Sequence, residues 1–119
     1  MREADALLGV SAYEQAIDRV IGMALGRIRL FDRSLGRSHN AAARIDALRA
    51  FLLANSANRI SIVVHDADRI RADCPRLVTL QRHFAHALSI HRTQSIARGV
   101  YDPFCVVDGS HYARRFHFD

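Results

Sequence analysis

Lysine and tryptophan are both missing from the 119-residue sequence, and all 17 of its basic residues are arginine. Arginine binds phosphate through two parallel hydrogen bonds and stacks on bases, so the net charge of +5 is compatible with a nucleic-acid surface. The arginines are dispersed, however, and the longest local cluster is the pair Arg114 and Arg115. A composition rich in arginine and alanine produces the same charge. We therefore expect a solvated surface, with nucleic-acid binding as the alternative.

The sequence also has no long apolar run and few cysteines. None of its apolar stretches approaches the roughly 18–20 residues that span a bilayer, and early acidic residues occupy the N-terminus where a signal peptide would be apolar. Cys74 and Cys105 are too few for a disulfide framework in a chain of this size. We expect a single cytoplasmic domain over residues 1–119, with reduced thiols, one modest core and no membrane partner.

Helices are predicted from capping residues and from apolar side chains at helical spacing. Ser11 and Glu14 have the spacing of a capping box, and the helix behind them makes residues 1–26 an N-terminal helical lead. Asn40 is the predicted N-cap of a second helix. Pro75 is predicted to open a third helix, because the N–H that proline lacks is not needed in the first turn.

Strand patterns alternate with these helices. Residues 59–64, RISIVV, are β-branched and nearly continuous, which is typical of a strand buried on both faces. Asp108 and Gly109 form a strong hairpin signal between the last two strands. We therefore predict an α/β fold, a mixed sheet with parallel βαβαβ strands and a C-terminal antiparallel hairpin. The predicted strands are 27–32, 59–64, 88–93, 100–107 and 111–118.

Polar side chains follow the predicted parallel strands at their carboxyl ends, where ligand sites of open α/β sheets form. These side chains include Asp32, His65, Asp66, Asp68 and Arg92. Adjacent His65 and Asp66 cannot easily aim at one ion, so we predict no metal and no cofactor there. Ordinary turn chemistry is the first expectation for these residues, and a polar latch or the lip of a phosphate-facing pocket is the alternative that we prefer to a metal site.

The segment YDPFCVVDG, residues 101–109, resembles the signature of the phospholipase D family. That signature is His-x-Lys, four residues and then Asp, often followed by Gly. Tyr101 stands at the histidine, Pro103 at the lysine and Asp108 at the aspartate, with an apolar strand between them. The alternating elements closed by a strand–turn–strand also resemble one half of a phospholipase D-like domain. The resemblance implies a phospholipase D-like half-unit.

The same resemblance implies that the catalytic groups of the family are absent. In the family the histidine attacks phosphorus and the lysine neutralises the phosphoryl oxygens, and residues two apart on a strand face the same side. Tyr101, with an ordinary pKa of about 10, is a poor nucleophile, and Pro103 has neither charge nor donor. Tyr101, Pro103 and Asp108 would then form a vestigial site without phospholipase D-type catalysis.

A second resemblance covers nearly the whole chain. It is to an uncharacterised bacterial domain that occurs alone or appended to GNAT-type acetyltransferases. It rests on the stretches RIRLFD, ARIDALRAFLLAN, ISIVVHDADRIRADCPRL and RGVYDPFCVVDGSHYARRFHFD. It implies an acetyltransferase domain or protein as a partner, and a homodimer, because halves with a single motif usually pair. It also leads us to expect further chain after the final hairpin, so that residue 119 would be a truncated end.

Basic residues of the last strands are candidates for an anion or ligand crevice together with the strand ends. Alternation along 111–118 puts Tyr112 and Arg114 on the predicted core face and His111 and Arg115 on the other. A buried Arg114 would need an acidic partner, so a structural Arg–Asp pair is an equal alternative to an anion site. The predicted crevice set is His65, Asp66, Asp68, Arg92, His111, Arg114 and Arg115.

Three other residues have weaker claims to chemistry. His83 and His86 share a face of the third helix without further ligands, so we predict that they face solvent. Cys74 lies at a helix start, where the helix dipole can lower a thiol pKa, but without a paired base it is predicted to be a packing residue.

Three functions are open at this point. We favour a non-catalytic, degenerate phospholipase D-like domain that serves as an interaction or ligand- or anion-sensing module, accessory to an acetyltransferase. The alternatives are an Arg-rich nucleic-acid-binding module and an enzyme with altered chemistry, in which His65 or His111 acts as nucleophile or base. The enzyme requires that these imidazoles converge on one cleft.

Overall fold

Helices and strands alternate in the predicted order in a computed structural model, which describes residues 10–33, 35–93 and 104–114. Two short elements, a 3-10 helix and α3, lie in segments that were predicted as connections. The elements are α1 (Val10–Met23), β1 (Arg27–Asp32), the 3-10 helix (Arg37–Asn40), α2 (Ala42–Ala54), β2 (Arg59–Val64), α3 (Ile70–Asp73), α4 (Pro75–His83), β3 (Leu88–Arg92), β4 (Phe104–Val107) and β5 (His111–Arg114).

The strands form one five-stranded sheet in the order β3-β2-β1-β4-β5. Strands β1, β2 and β3 pair in parallel, β4 runs antiparallel to β1, and β5 runs antiparallel to β4. The predicted α/β class and mixed sheet are confirmed. Since β2 and β4 flank β1 on opposite sides, the sheet grows in both directions from β1, and the carboxyl end of β1 is its topological switch point.

The described α-helices share one hydrophobic core with one face of the sheet. Residues at alternate strand positions belong to that core, whereas Arg27, Arg29 and Arg59 are exposed on the opposite face. No described helix combines the length and apolarity needed to cross a membrane. The strand residues of the core are Ile28, Leu30, Ile60, Ile62, Val64, Leu88, Cys105, Val107 and Ala113.

Burial along β2 differs from the prediction. Ile60, Ile62 and Val64 are buried, but Ser61 and Val63 between them are only half-buried. The prediction that this strand is buried on both faces was therefore wrong, because the described helices cover one face only.

The core face of β5 is also opposite to the predicted one. Ala113 is buried, beside the fully buried Cys105 of β4, and α1 packs against both strands. His111, on the same face as Ala113, is exposed at the strand end. Pairing with β4 thus determines which face of β5 points into the core. It is the face of His111 and Ala113, whereas the prediction had placed Tyr112 and Arg114 there. The side chains of Tyr112 and Arg114 lie outside the description.

The two predicted helix caps at Ser11 and Asn40 are both wrong. Helix α1 already includes Val10, so Ser11 lies inside the helix. Helix α2 begins after Ala41 without a side-chain cap. Asn40 caps a different helix, because its Oδ1 accepts a 2.7 Å hydrogen bond from the backbone N–H of Arg76 in the first turn of α4.

Removal of this cap should destabilise the protein. Asn40→Ala is expected to lower the free energy of unfolding by about 1 kcal/mol, the usual cost of losing an N-cap oxygen. Asn40→Asp keeps the oxygen and adds a negative charge at the helix N-terminus, so it should retain wild-type stability or exceed it. Urea unfolding followed by circular dichroism measures both, and equal losses in the two variants would contradict the assignment.

Candidate functional site

Polar residues from three strands meet at one edge of the sheet, which we call the carboxyl edge. His65 Nδ1 lies 2.7 Å from Thr93 Oγ1, and the His65 ring packs edge-on against Phe31 with centroids 5.0 Å apart. The backbone N–H groups of His65 and Asp66 both donate to the carbonyl oxygen of Arg33. The carboxyl edge is formed by Asp32, His65, Asp66, Asp68, Arg92 and Thr93.

Two of the three aspartates of this edge, Asp66 and Asp68, form a turn. Asp66 Oδ1 accepts a 2.9 Å hydrogen bond from the backbone N–H of Asp68, which is the arrangement of an Asx turn. In the described part of the chain, no three His, Cys, Asp or Glu side chains are grouped so that they could hold a metal ion. Asp66 therefore has a structural role in leading the chain from β2 to α3.

A buried histidine lies behind the end of β1. His39 is 3% exposed, its Nδ1 lies 3.1 Å from Arg44 Nη1, and its Nε2 lies 3.6 Å from Asp32 Oδ2. A guanidinium only donates, so Nδ1 must accept, and the neutral imidazole carries its proton on Nε2, facing Asp32. A distance of 3.6 Å is too long for a hydrogen bond. His39 Nε2 is thus a buried donor that no described residue satisfies.

Arg44 connects this histidine to helix α1. The guanidinium is 4% exposed, with Nη1 at 2.7 Å from Glu14 Oε1 and Nε at 2.9 Å from Asp18 Oδ1. Burial opposes its charge, but hydrogen bonds to Asp18 and Glu14 outweigh this and raise the pKa of Arg44. The resulting network joins α1, α2, the 3-10 helix and β1. Its members are the buried Arg44 and His39, the half-buried Glu14 and Asp32, and the exposed Asp18.

Sequence reasoning missed this network, although one signal for it was present. Arg44 lies four residues before Leu48 and one before Ile45, so it occupies the buried stripe of α2. The buried arginine was instead expected at Arg114. His39 gave no comparable signal, since it stands in a polar connecting segment without apolar periodicity.

Burial keeps one phenol and two thiols of the core in their neutral forms. Tyr13 is 3% exposed, and burial together with the charge of Asp32 raises the pKa of its phenol. Burial raises the pKa of Cys105 to about 12 and that of Cys74, next to Asp73, to about 11. Both cysteines are fully buried packing residues, as predicted for Cys74, and the start of α4 does not activate the Cys74 thiol.

Asp108 lies at the opposite edge of the sheet, beyond the far end of β4. Its Oδ2 accepts the N–H of Leu25, and its Oδ1 accepts the N–H groups of Gly26 and Arg27, each at 2.8 Å. These hydrogen bonds hold the pKa of Asp108 below its usual value, and the bond from Leu25 contributes most. Asp108 and Gly109 both have positive φ, 53° and 74°, as the predicted Asp-Gly hairpin turn requires. Asp108 thus fastens the β4–β5 hairpin to the start of β1.

The predicted crevice residues are divided between these two edges. His111 pairs with Val107 beside the Asp108 turn, so it lies far along the sheet from His65, and the structure does not bring the two imidazoles into one cleft. The backbone of Arg114 pairs with Phe104, near the carboxyl edge. The side chain of Arg114 lies outside the description, as do the residues Tyr101, Pro103 and Arg115. His83 and His86 are both exposed, as predicted.

These features define an α/β domain with a mixed sheet, whose polar groups collect where the parallel strands end and whose final hairpin is held by an aspartate. The chain belongs to the family described as Domain of unknown function (DUF7931), whose model matches residues 10–117. Neither the curated proteins nor the solved structures include a match.

Loss of the buried arginine should be far more damaging than loss of an exposed one. Arg44→Ala leaves the Glu14 carboxylate without its buried partner, so it is expected to cost about 3–5 kcal/mol of unfolding free energy. Arg49→Ala, five residues further along α2, removes a partly exposed pair with Asp46 and should cost under about 0.5 kcal/mol. Chemical denaturation compares the two, and similar costs would contradict a buried network.

The Asp108 carboxylate should stabilise the fold in a pH-dependent way. Its folded pKa is lowered, so its contribution is fully present above the ordinary aspartate pKa of about 3.9 and is lost as pH falls through the lower folded value. Asp108→Asn should therefore lower the midpoint of thermal unfolding at pH 7, on the order of 5 °C, and the gap should narrow in acid. Asp46→Asn is the matched control for net charge. A gap that persists unchanged at pH 2 would argue against the ionised cap.

Proposed function

We propose that this chain is a degenerate phospholipase D-like half-unit that binds a ligand or partner and does not cleave phosphodiesters. The observation that carries the proposal is the engagement of Asp108 by the backbone N–H groups of Leu25, Gly26 and Arg27. The aspartate of the motif frame then has a structural role that needs no nucleophile. That role is compatible with Tyr101 and Pro103 standing where the motif has histidine and lysine.

The chemistry of these two positions supports a non-catalytic domain. A phenol at Tyr101 is a weak nucleophile near neutral pH, and Pro103 offers no charge to the phosphoryl oxygens. Among the described residues at the carboxyl edge, His65 is hydrogen-bonded to Thr93, and His39 is buried behind Asp32. Neither His65 nor His39 lies beside His111, which is at the other edge. These imidazoles therefore do not form a joint site that could replace the attacking histidine.

The carboxyl edge nevertheless retains groups that suit an anionic ligand. Arg92 is exposed at the end of β3 and can bind a phosphate or carboxylate with two hydrogen bonds. Backbone donors offset part of the negative charge there. Asp32 Oδ1 accepts the N–H of Arg33, and Asp66 Oδ1 accepts the N–H of Asp68. Arg92 is the cationic group of this edge that would contact the anion.

The proposal includes partners implied by the family resemblance. An acetyltransferase domain or protein is the first, and a second copy of the chain is the other. In the described sheet β3 and β5 are the two outer strands, so each has one side to which no described strand pairs. Pairing along either strand would extend the sheet, and sedimentation equilibrium measures whether the chain dimerises.

Catalysis and anion binding can be tested on the same protein. A chromogenic phosphodiester should show no turnover above the buffer rate, even at high protein concentration. Inorganic phosphate should shift the amide resonances of Arg92 and Thr93. The substitution Arg92→Gln should remove these shifts and lower the affinity for phosphate about tenfold, as expected for the loss of a charged hydrogen bond. Arg82→Gln, an exposed arginine of α4, is the control. Turnover through a phosphorylated protein would contradict the proposal.

A further inference from the structure

Three exposed arginines share the sheet face opposite the helices. Arg27 and Arg29 are two apart on β1, and Arg59 begins β2 directly beside Arg27. Their Cα atoms are thus spaced about 6.6 Å along the strand and about 4.8 Å across it. Phe104 and Val106 of β4 lie on the same face, because Val106 pairs with Arg29 and Phe104 with Phe31. We call these five residues the arginine face.

Fold stability does not account for this arrangement. Like charges directly opposite on neighbouring strands destabilise a sheet, and Arg27 stands opposite Arg59. Within residues 10–33, 35–93 and 104–114, neither Arg27 nor Arg29 forms an ion pair. Among the described residues, Arg59 Nη1 donates only to backbone carbonyl oxygens of the preceding turn. A bound polyanion would relieve the repulsion.

The face offers cations at one end and an aromatic ring at the other. Arg27, Arg29 and Val106 line an open concavity of about 520 Å³. Asp108 also lines it, and both of its carboxylate oxygens accept backbone N–H groups. At the far end Phe104 stacks on Phe31 with centroids 5.5 Å apart and is itself half-exposed. Phosphates and a base could therefore be held along the same strip.

We propose that the arginine face binds single-stranded nucleic acid, with phosphates at Arg27 and Arg29 and a base against Phe104. A guanidinium binds two phosphate oxygens at once, and an open sheet face with an aromatic ring accepts unstacked bases. A face-to-face dimer of this chain is disfavoured, because it would bring two arginine-rich faces together. An acidic protein surface would use the arginines but would leave the ring without a planar partner.

The test is binding of a fluorescein-labelled 12-nucleotide oligothymidylate, followed by fluorescence anisotropy between 50 and 300 mM salt. The double variant R27Q/R29Q should lose roughly tenfold or more in affinity at 0.1 M salt, and its log–log salt slope should fall by about 1.4, since each lost phosphate contact removes about 0.7. R71Q/R82Q removes the same charge from exposed helical positions and should bind as the wild type does. Thermal unfolding confirms that each variant is folded.

A third variant separates base stacking from charge. Phe104→Leu should weaken binding by roughly fivefold or more without changing the salt slope, because it removes a stacking ring but no cation. Equal losses in R27Q/R29Q and R71Q/R82Q would overturn the proposal in favour of diffuse attraction. Polyglutamate is the competing ligand. If its affinity fell equally in R27Q/R29Q and did not change in Phe104→Leu, the proposal would be overturned in favour of an acidic protein partner.

Discussion

The buried guanidinium of Arg44 is the interaction on which the packing of α1 and α2 onto the end of β1 depends. A buried cation is costly unless it is paired and hydrogen-bonded, and here Arg44 forms ion pairs with Glu14 and Asp18 and lies 3.1 Å from the imidazole of His39. The helices must therefore meet at one particular rotation, since a shift of one turn would leave a charge unpaired in the core. The same arrangement orients His39 towards Asp32, so the switch point of the sheet and the helix packing are coupled.

Because the described helices cover one face of the sheet, polar groups are distributed over three separate surfaces. The carboxyl edge contains the residues at the ends of β1, β2 and β3, the opposite edge holds the Asp108 turn, and the arginines lie on the face that no described helix covers. No single crevice contains all the predicted residues, because His111 lies at one end of the strands and His65, Asp66, Asp68 and Arg92 lie at the other. Whatever this domain recognises, the edge and the face can do so independently.

Features specified by local chemistry were predictable, and those specified by distant partners were not. Strand β1 was predicted to the residue from apolar alternation, and the Asp108–Gly109 turn from the positive φ that this dipeptide tolerates. Asn40, by contrast, caps a helix 36 positions away, and nothing in its neighbourhood reveals that partner. Likewise the inward side of β5 depends on which face of β4 meets α1. The alternation shows two faces but does not say which one is buried.

The hydrogen bonds of Asp108 also bear on the order in which the chain assembles. They join positions 81 to 83 residues apart, and β4, one of the last strands to be made, lies directly beside β1, one of the first. Contacts of such long sequence separation form late, because a large loop must close before they can form. During synthesis one side of β1 therefore stays unpaired until the β4–β5 hairpin has been made. In that interval the exposed side of β1 is a binding site for a chaperone.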